Sequence, residues 1–342
     1  MGGIPEQHPE RRDVSIDALR ALAVLFMVLV HAAATWMPST IEKTTPLAYI
    51  VAGIGGLAAP LFVLLFGWGI AASSTHTTQK ILYRSAILCV CQIAVNVSAP
   101  HLFKPFTPGV LTLFALLYLT SPLWKELRKY PKLETMLIFT FLFLPLLTYS
   151  EMGPSDWSER IETTSLLEFI SHLLLTGQYP LFPWLMFALI GAHLYHCPKP
   201  DPMTLSLVIA GLCISIFSLV IAVVEQRPWA LATDPSGQAL LTFFPASTTF
   251  LFAATLGTLV IWFVCYQRWT PLTLVPLGHM SLTIYVIHFI PIGIFHQALD
   301  HNFSALIHYI VIILYTLVWI FIAHLWHTQA PQWTIETIFR KR

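Results

Sequence analysis

The stretch Asp17-Ala18-Leu19-Arg20-Ala21-Leu22-Ala23-Val24-Leu25-Phe26-Met27-Val28-Leu29-Val30-His31 decides the fold. Ten apolar residues stand between Arg20 and His31, and the run continues to residue 37 before Pro38 breaks it. About 20 mainly apolar residues suffice to cross the hydrocarbon layer of a membrane. Residues 17–37 are therefore predicted to be a membrane-spanning helix.

Nine similar runs follow, at 48–73, 81–99, 107–124, 135–150, 180–197, 203–224, 246–267, 272–297 and 304–327. The fifth run is the shortest and holds Pro145. Residues 165–176 read as a short amphipathic or re-entrant helix leading into the sixth span through Pro180 and Pro183. Apolar residues make up 56% of the 342 and charged ones 10%. A soluble domain carries about 25% charged residues, so this chain lacks the polar surface to coat a water-soluble globule. The expected architecture is an all-α membrane bundle of about ten helices, a single domain over residues 1–342 with a short tail at 1–14.

Orientation follows from the basic residues, which concentrate on the cytoplasmic side of membrane proteins. With the N-terminus inside, 14 of the 18 Lys and Arg face inward, and only Lys43, Lys104, Arg160 and Arg227 face outward. The outward segment 150–168 carries Glu151, Asp156, Glu159, Glu162 and Glu168 against one Arg. Both chain ends are thus expected in the cytoplasm, with the protein in a bacterial-type inner membrane. The rival reading of the first run is a cleaved leader ending near Ala32-Ala33-Ala34, but Glu10, Asp13 and Asp17 make its start unlike a basic leader. Net charge is +1 and indicates no nucleic-acid partner. The five cysteines are too scattered for a disulfide framework.

Ionisable groups inside a span are costly and mark function by default. Arg20 and His31 are separated by about three turns plus 20°, so they share a helix face roughly 16 Å apart along the axis. Asp17, one turn before Arg20, is placed to hold its guanidinium. One face thus offers an anion site near the cytoplasm and a base or nucleophile deeper in. A snorkelling anchor at Arg20 and a bundle-satisfied His31 are the plain alternatives. The ninth run holds Ser281, Tyr285 and His288 on one face. His288 lies at about the depth of His31, and Asn96, four residues after Gln92, reaches a similar level. These groups are expected to share a polar chamber; separate interhelical hydrogen bonds would explain them equally. Glu168 and His172 are spaced to meet, although a solvated surface explains them better. Fourteen histidines raise the question of a metal. Neither HExxH nor CxxCH occurs, so none is expected.

These residues resemble the transmembrane acyltransferase superfamily, which includes acyltransferase family three and the heparan-alpha-glucosaminide N-acetyltransferase catalytic domain. The resemblance rests on Arg20-x10-His31, Ser15 to Arg20, Gly109-Val110-Leu111, Tyr179 to Trp184, and Ser281 to His288, spread in order over most of the chain. Two positions depart from the pattern: Ala21, where relatives often have Gly, and His279, where they often have Arg or Lys. The resemblance implies transfer of an acetyl or short acyl group from cytoplasmic acetyl-CoA or another acyl-CoA to a periplasmic glycan or glycolipid. Arg20, with Asp17 and Arg84, would hold the donor. His31 would act as base or acyl acceptor, alongside His288. Tyr285 and Asn96 would face the acceptor. A transporter or flippase using the same chamber is the alternative from another class, though no symmetric halves are evident.

Overall fold

The structure is a computed structural model that describes residues 13–37, 46–73, 77–148, 157–226, 240–297 and 303–340. Among these residues the chain is helical, with no strand. In chain order the helices are α1 (Val14–Trp36), α2 (Pro46–Ala72), α3 (Thr78–Ser98), α4 (Val110–Lys125) and α5 (Pro131–Thr148). The short α6 (Trp157–Ile161) and α7 (Leu166–Ser171) precede α8 (Leu181–His196), α9 (Pro202–Val224) and α10 (Thr248–Gln267). The remainder is α11 (Val275–His279), α12 (Ser281–Ile287), α13 (Phe289–Ile294), α14 (Ala305–Gln329) and α15 (Ile335–Arg340).

Seven of these helices are long and apolar enough to cross a membrane. Two bent pairs add up to two more crossings: residues 166–176 with α8, at 45°, and residues 272–279 with 281–294, at 67°. The polytopic all-α bundle is as expected, with seven to nine candidate crossings among the described residues. The helix α5 covers the fifth run and lies against α8 and α10 inside the bundle. The tail 1–12 lies outside the described residues.

The helix at the edge of the bundle shows how a membrane protein is assembled. Along α9, Leu205, Ile209, Leu212, Ile216, Leu219 and Val223 recur at helical spacing and are exposed, which suits a lipid surround. The opposite face buries Gly211, Ser215, Ser218 and Ala222. Small side chains let helix backbones approach closely, since lipid supplies no hydrophobic force between helices. Asp201 starts α9 with a reciprocal capping box: its Oδ1 accepts from Thr204 N at 3.0 Å, and Thr204 Oγ1 accepts from Asp201 N at 2.9 Å.

Helix α1 runs through the middle of the assembly and touches α2, α10, α11, α12, α13 and α14. Asp13 caps it by accepting from Ser15 N at 2.9 Å. At the opposite end, Trp36 Nε1 donates to Phe295 O at 2.8 Å, and His308 Nδ1 donates to Trp36 O at 2.7 Å. Polar ties gather the start of α1 with other helix ends. Ser15 Oγ lies 3.1 Å from Thr270 Oγ1, Lys125 Nζ donates to Ser73 O at 3.1 Å, and Gln267 Nε2 donates to Pro198 O at 2.8 Å. This is the cation-rich end of the bundle, and α15 returns to it as well.

Close helix contact depends on glycines, Gly191 and Gly278 foremost. A Cβ on Gly191 of α8 would sit 1.8 Å from Leu64 O of α2, and one on Gly278 of α11 would sit 1.8 Å from Asp17 O of α1. Both contacts are with backbone, which cannot rotate away. Gly191→Ala and Gly278→Ala are expected to lose about 1–3 kcal/mol or more through overpacking. Gly53→Ala, with nothing within 4 Å, should be near neutral. Thermal unfolding in detergent would show this, and equal midpoints for all three variants would contradict the packing.

Candidate active site

The first turns of α1 meet the break between α11 and α12. Asp17 is 1% exposed and uses its two carboxylate oxygens on different partners. Oδ1 lies 3.2 Å from Arg20 Nη1, and Oδ2 lies 3.2 Å from His279 Nε2. Gly278 makes this possible, because only a residue without Cβ brings α11 against the Asp17 carbonyl. His279 also meets His327 of α14, with ring centroids 5.0 Å apart. The position where relatives often carry a full cation is therefore an imidazole tied to the carboxylate that holds Arg20.

Behind this knot lies a cavity of about 260 Å³. Arg20, Gly69, His279 and Glu336 line it together with a band of rings from Phe62, Phe66, Phe114, Tyr118, Tyr285 and Phe339. Phe66 stacks on Phe114 at 4.4 Å and meets Tyr118 edge-on at 4.8 Å. Arg84 is not part of this lining. Its guanidinium stacks over Tyr118 at 5.8 Å and Phe339 at 5.2 Å, so it borders the cavity through two rings. Glu336 was not singled out in the sequence, yet it caps the broken helix. Its carboxylate accepts from Leu282 N at 2.6 Å, Thr283 N at 3.2 Å and Thr283 Oγ1 at 2.5 Å.

The cavity stops at Tyr285, whose ring stands edge-on to Phe62 at 6.4 Å and to His288 at 6.0 Å. Beyond that ring is the histidine pair. His31 Nδ1 lies 3.0 Å from His288 Nε2, with the rings nearly parallel at 13°. His288 Nδ1 lies 3.0 Å from Ile284 O. A carbonyl only accepts, so His288 Nδ1 carries a proton, and the Nε2 of a neutral ring is then an acceptor. His31 Nδ1 must donate to it. This leaves the lone pair of the neutral His31 ring on Nε2, the atom a base or nucleophile needs. His288 is fully buried, and its carbonyl accepts from Tyr315 at 2.5 Å. His31 is partly exposed and packs on Phe289 at 4.6 Å.

One turn farther along α1, Thr35 continues the face of His31. Its Oγ1 lies 3.2 Å from His101 Nε2, and His101 stacks on His296 at 4.9 Å. No spacing in the sequence linked these three residues, because they come from three separate segments. Burial, and then the neighbouring His296, lower the His101 pKa from its ordinary value.

Other anticipated residues have different partners. Asn96 accepts from Gln92 Nε2 at 2.8 Å and donates to Pro105 O at 3.0 Å and Thr107 O at 2.9 Å. It shapes the 100–109 loop and is not among the cavity lining. Glu168 accepts from Thr164 N at 2.6 Å, whereas His172 meets Thr176 Oγ1 at 2.8 Å and Glu162 O at 3.1 Å.

No curated protein sequence matches the chain. A family model described as an acyltransferase domain matches residues 13–325, nearly the whole bundle. With that match over the helices that carry Arg20, His31 and His288, the chain belongs to acyltransferase family three and is a membrane acyltransferase.

Proposed function

We propose that this acyltransferase takes an acetyl or other short acyl group from an acyl-CoA at the cation-rich end. It delivers the group to a hydroxyl or amine of a glycan or glycolipid at the opposite end. The observation that carries this reading is the layout of α1. One helix places Arg20 in the cavity and, roughly 16 Å farther on, His31 in a polarised imidazole pair. The excess of Lys and Arg supports placing the cation-rich end in the cytoplasm, and our reading takes the membrane to be a bacterial-type inner one. An acyl-CoA combines an anionic nucleotide with a thin flexible arm. The cavity, about 260 Å³, is smaller than the roughly 300–1,000 Å³ of sites that enclose a whole drug-sized ligand. It suits the arm, with the phosphates held at Arg20 and His279. For the thioester to meet His31, the Tyr285 ring must turn aside.

The chemistry then follows from the lone pair on His31 Nε2. That atom takes the proton of the acceptor O–H or N–H as the oxygen or nitrogen attacks the thioester carbonyl. The carbon–sulfur bond breaks, and the departing coenzyme A thiolate takes that proton from His31 Nε2, which returns the ring to its neutral form. His288 holds His31 in the reactive tautomer, anchored in turn by the Ile284 carbonyl. The same lone pair also serves a two-step route in which His31 itself carries the acyl group. At the far end, Thr35, His101 and His296 offer hydroxyl and imidazole partners to a polar acceptor. A lowered pKa keeps His101 neutral near pH 7, able to donate and to accept.

Labelled acetyl-CoA and purified protein provide the test. His31→Ala is expected to lose donor hydrolysis and transfer by about 10²-fold or more, the usual contribution of a positioned base. Donor turnover at the wild-type rate in that variant would remove His31 from the chemistry. Binding without turnover by the wild type, across many acceptors, would favour a carrier. Arg20→Ala leaves Asp17 without its cation and should weaken acyl-CoA binding about tenfold or more, as loss of a charged hydrogen bond does. Unchanged affinity in equilibrium binding would overturn the donor assignment.

A further inference from the structure

A second polar cluster lies outside the cavity, where α8 ends and α9 begins. His193 and Cys197 are four residues apart, so they share the last face of α8. Asp201 follows as the cap of α9. One donor atom from each of the three lies within 4.8 Å of the others. His193 Nε2 is 2.8 Å from Asp201 Oδ2, while Asp201 Oδ1 is occupied by Thr204. The capping box thus locks the carboxylate with one oxygen turned toward the imidazole and the sulfur. Behind His193 stands Glu134 of α5, with a side chain only 3% exposed. Its Oε2 is buried, accepts no hydrogen bond, and lies 3.7 Å from His193 Nδ1.

We propose that His193, Cys197 and Asp201 bind one zinc-class divalent cation, with Glu134 orienting His193 from behind. The donor set, one imidazole, one thiolate and one carboxylate, matches the mixed nitrogen, sulfur and oxygen ligation that such ions favour. A ligating histidine commonly turns its second ring nitrogen to a carboxylate, which is the position of Glu134. The carbonyls at the end of α8 also favour positive charge. Arg128 Nη1 lies 3.5 Å from both Glu134 Oε2 and His193 Nδ1, so its charge sits against that carboxylate behind the imidazole and away from the Nε2 that faces Asp201. Its Nη2 lies 3.7 Å from Cys197 Sγ. With Arg128 and Glu134 paired, Asp201 faces the His193 ring, and any proton on the Nε2 of that ring would leave when the ion binds. A divalent ion bound to Asp201 and a Cys197 thiolate brings the local sum to zero, and the thiol proton leaves to solvent. Tetrahedral ligation needs donors about 3.3–3.8 Å apart, so His193 and Asp201 separate slightly and the sulfur swings inward. The fourth position belongs to water. The ion would clip α5, α8 and α9 together at the end of the bundle that also carries Arg20.

The sequence expectation of no metal rested on missing contiguous motifs, and these donors straddle a helix end and the next helix cap. Untagged protein in detergent, stripped with a chelator and titrated with Co²⁺, decides the matter. One equivalent should bind with a near-ultraviolet thiolate-to-cobalt band, displaced by Zn²⁺. Cys197→Ser should abolish that band. Asp201→Asn, which keeps a capping side chain, and Glu134→Gln should each weaken Co²⁺ binding about tenfold or more. Thermal unfolding without metal checks that each variant is folded. Absence of the band in wild type, or its survival in Cys197→Ser, overturns the proposal and leaves a protonated-histidine ion cluster. Should Cys197→Ser fail to fold, the wild-type titration and Asp201→Asn still decide.

Discussion

The arrangement depends on the buried Asp17 carboxylate, which joins Arg20 of its own helix to His279 of another. Removing a carboxylate from water costs several kcal/mol after relaxation, and leaving it unpaired in the bundle would cost more than the pair returns. Two partners on separate oxygens answer that requirement and fix the rotation of α1 relative to α11. Once this rotation is set, the period of the helix carries His31 to the face where His288 waits. Gly278 provides the clearance that makes the junction close enough to work.

The second requirement concerns backbone. The chain from residue 272 to 294 runs as short helices bent by 67°, and each break leaves backbone groups that lipid cannot satisfy. Glu336 takes the amides of Leu282 and Thr283 at one break. At the other, Tyr315 covers the carbonyl of His288. A broken helix is thus held by side chains from outside it, and the reward is a sharp turn that aims Tyr285 and His288 inward. The same segment then supplies the cavity floor and half of the imidazole pair.

Much of this was legible in the chain itself. Long apolar runs mark α1 to α4, α9, α10 and α14, because hydrocarbon demands length and apolarity together. The shared face of Arg20 and His31 follows from helix period alone. Matching the depth of His31 and His288 was possible by counting inward from the cytoplasmic end, although they are 257 residues apart. Other features carry no periodic signal. The contact of Thr35 with His101 and His296 joins an α1 residue to a loop and a helix end. Asn96 was expected at an acceptor, yet its amide is spent on loop carbonyls, a demand that spacing does not reveal. Glu336, in the tail after α14, carries no such signal either, because its partners lie more than 50 residues away.

That tail has a bearing on how the unit is delimited. The family match closes at residue 325, whereas the carboxylate that completes the broken helix and one ring of the cavity wall come after it. The matched segment is therefore not self-sufficient in this chain. A protein trimmed to the matched segment would strand two amide groups beside the donor pocket and lose a wall of that pocket, so heterologous termini belong after α15, not before it.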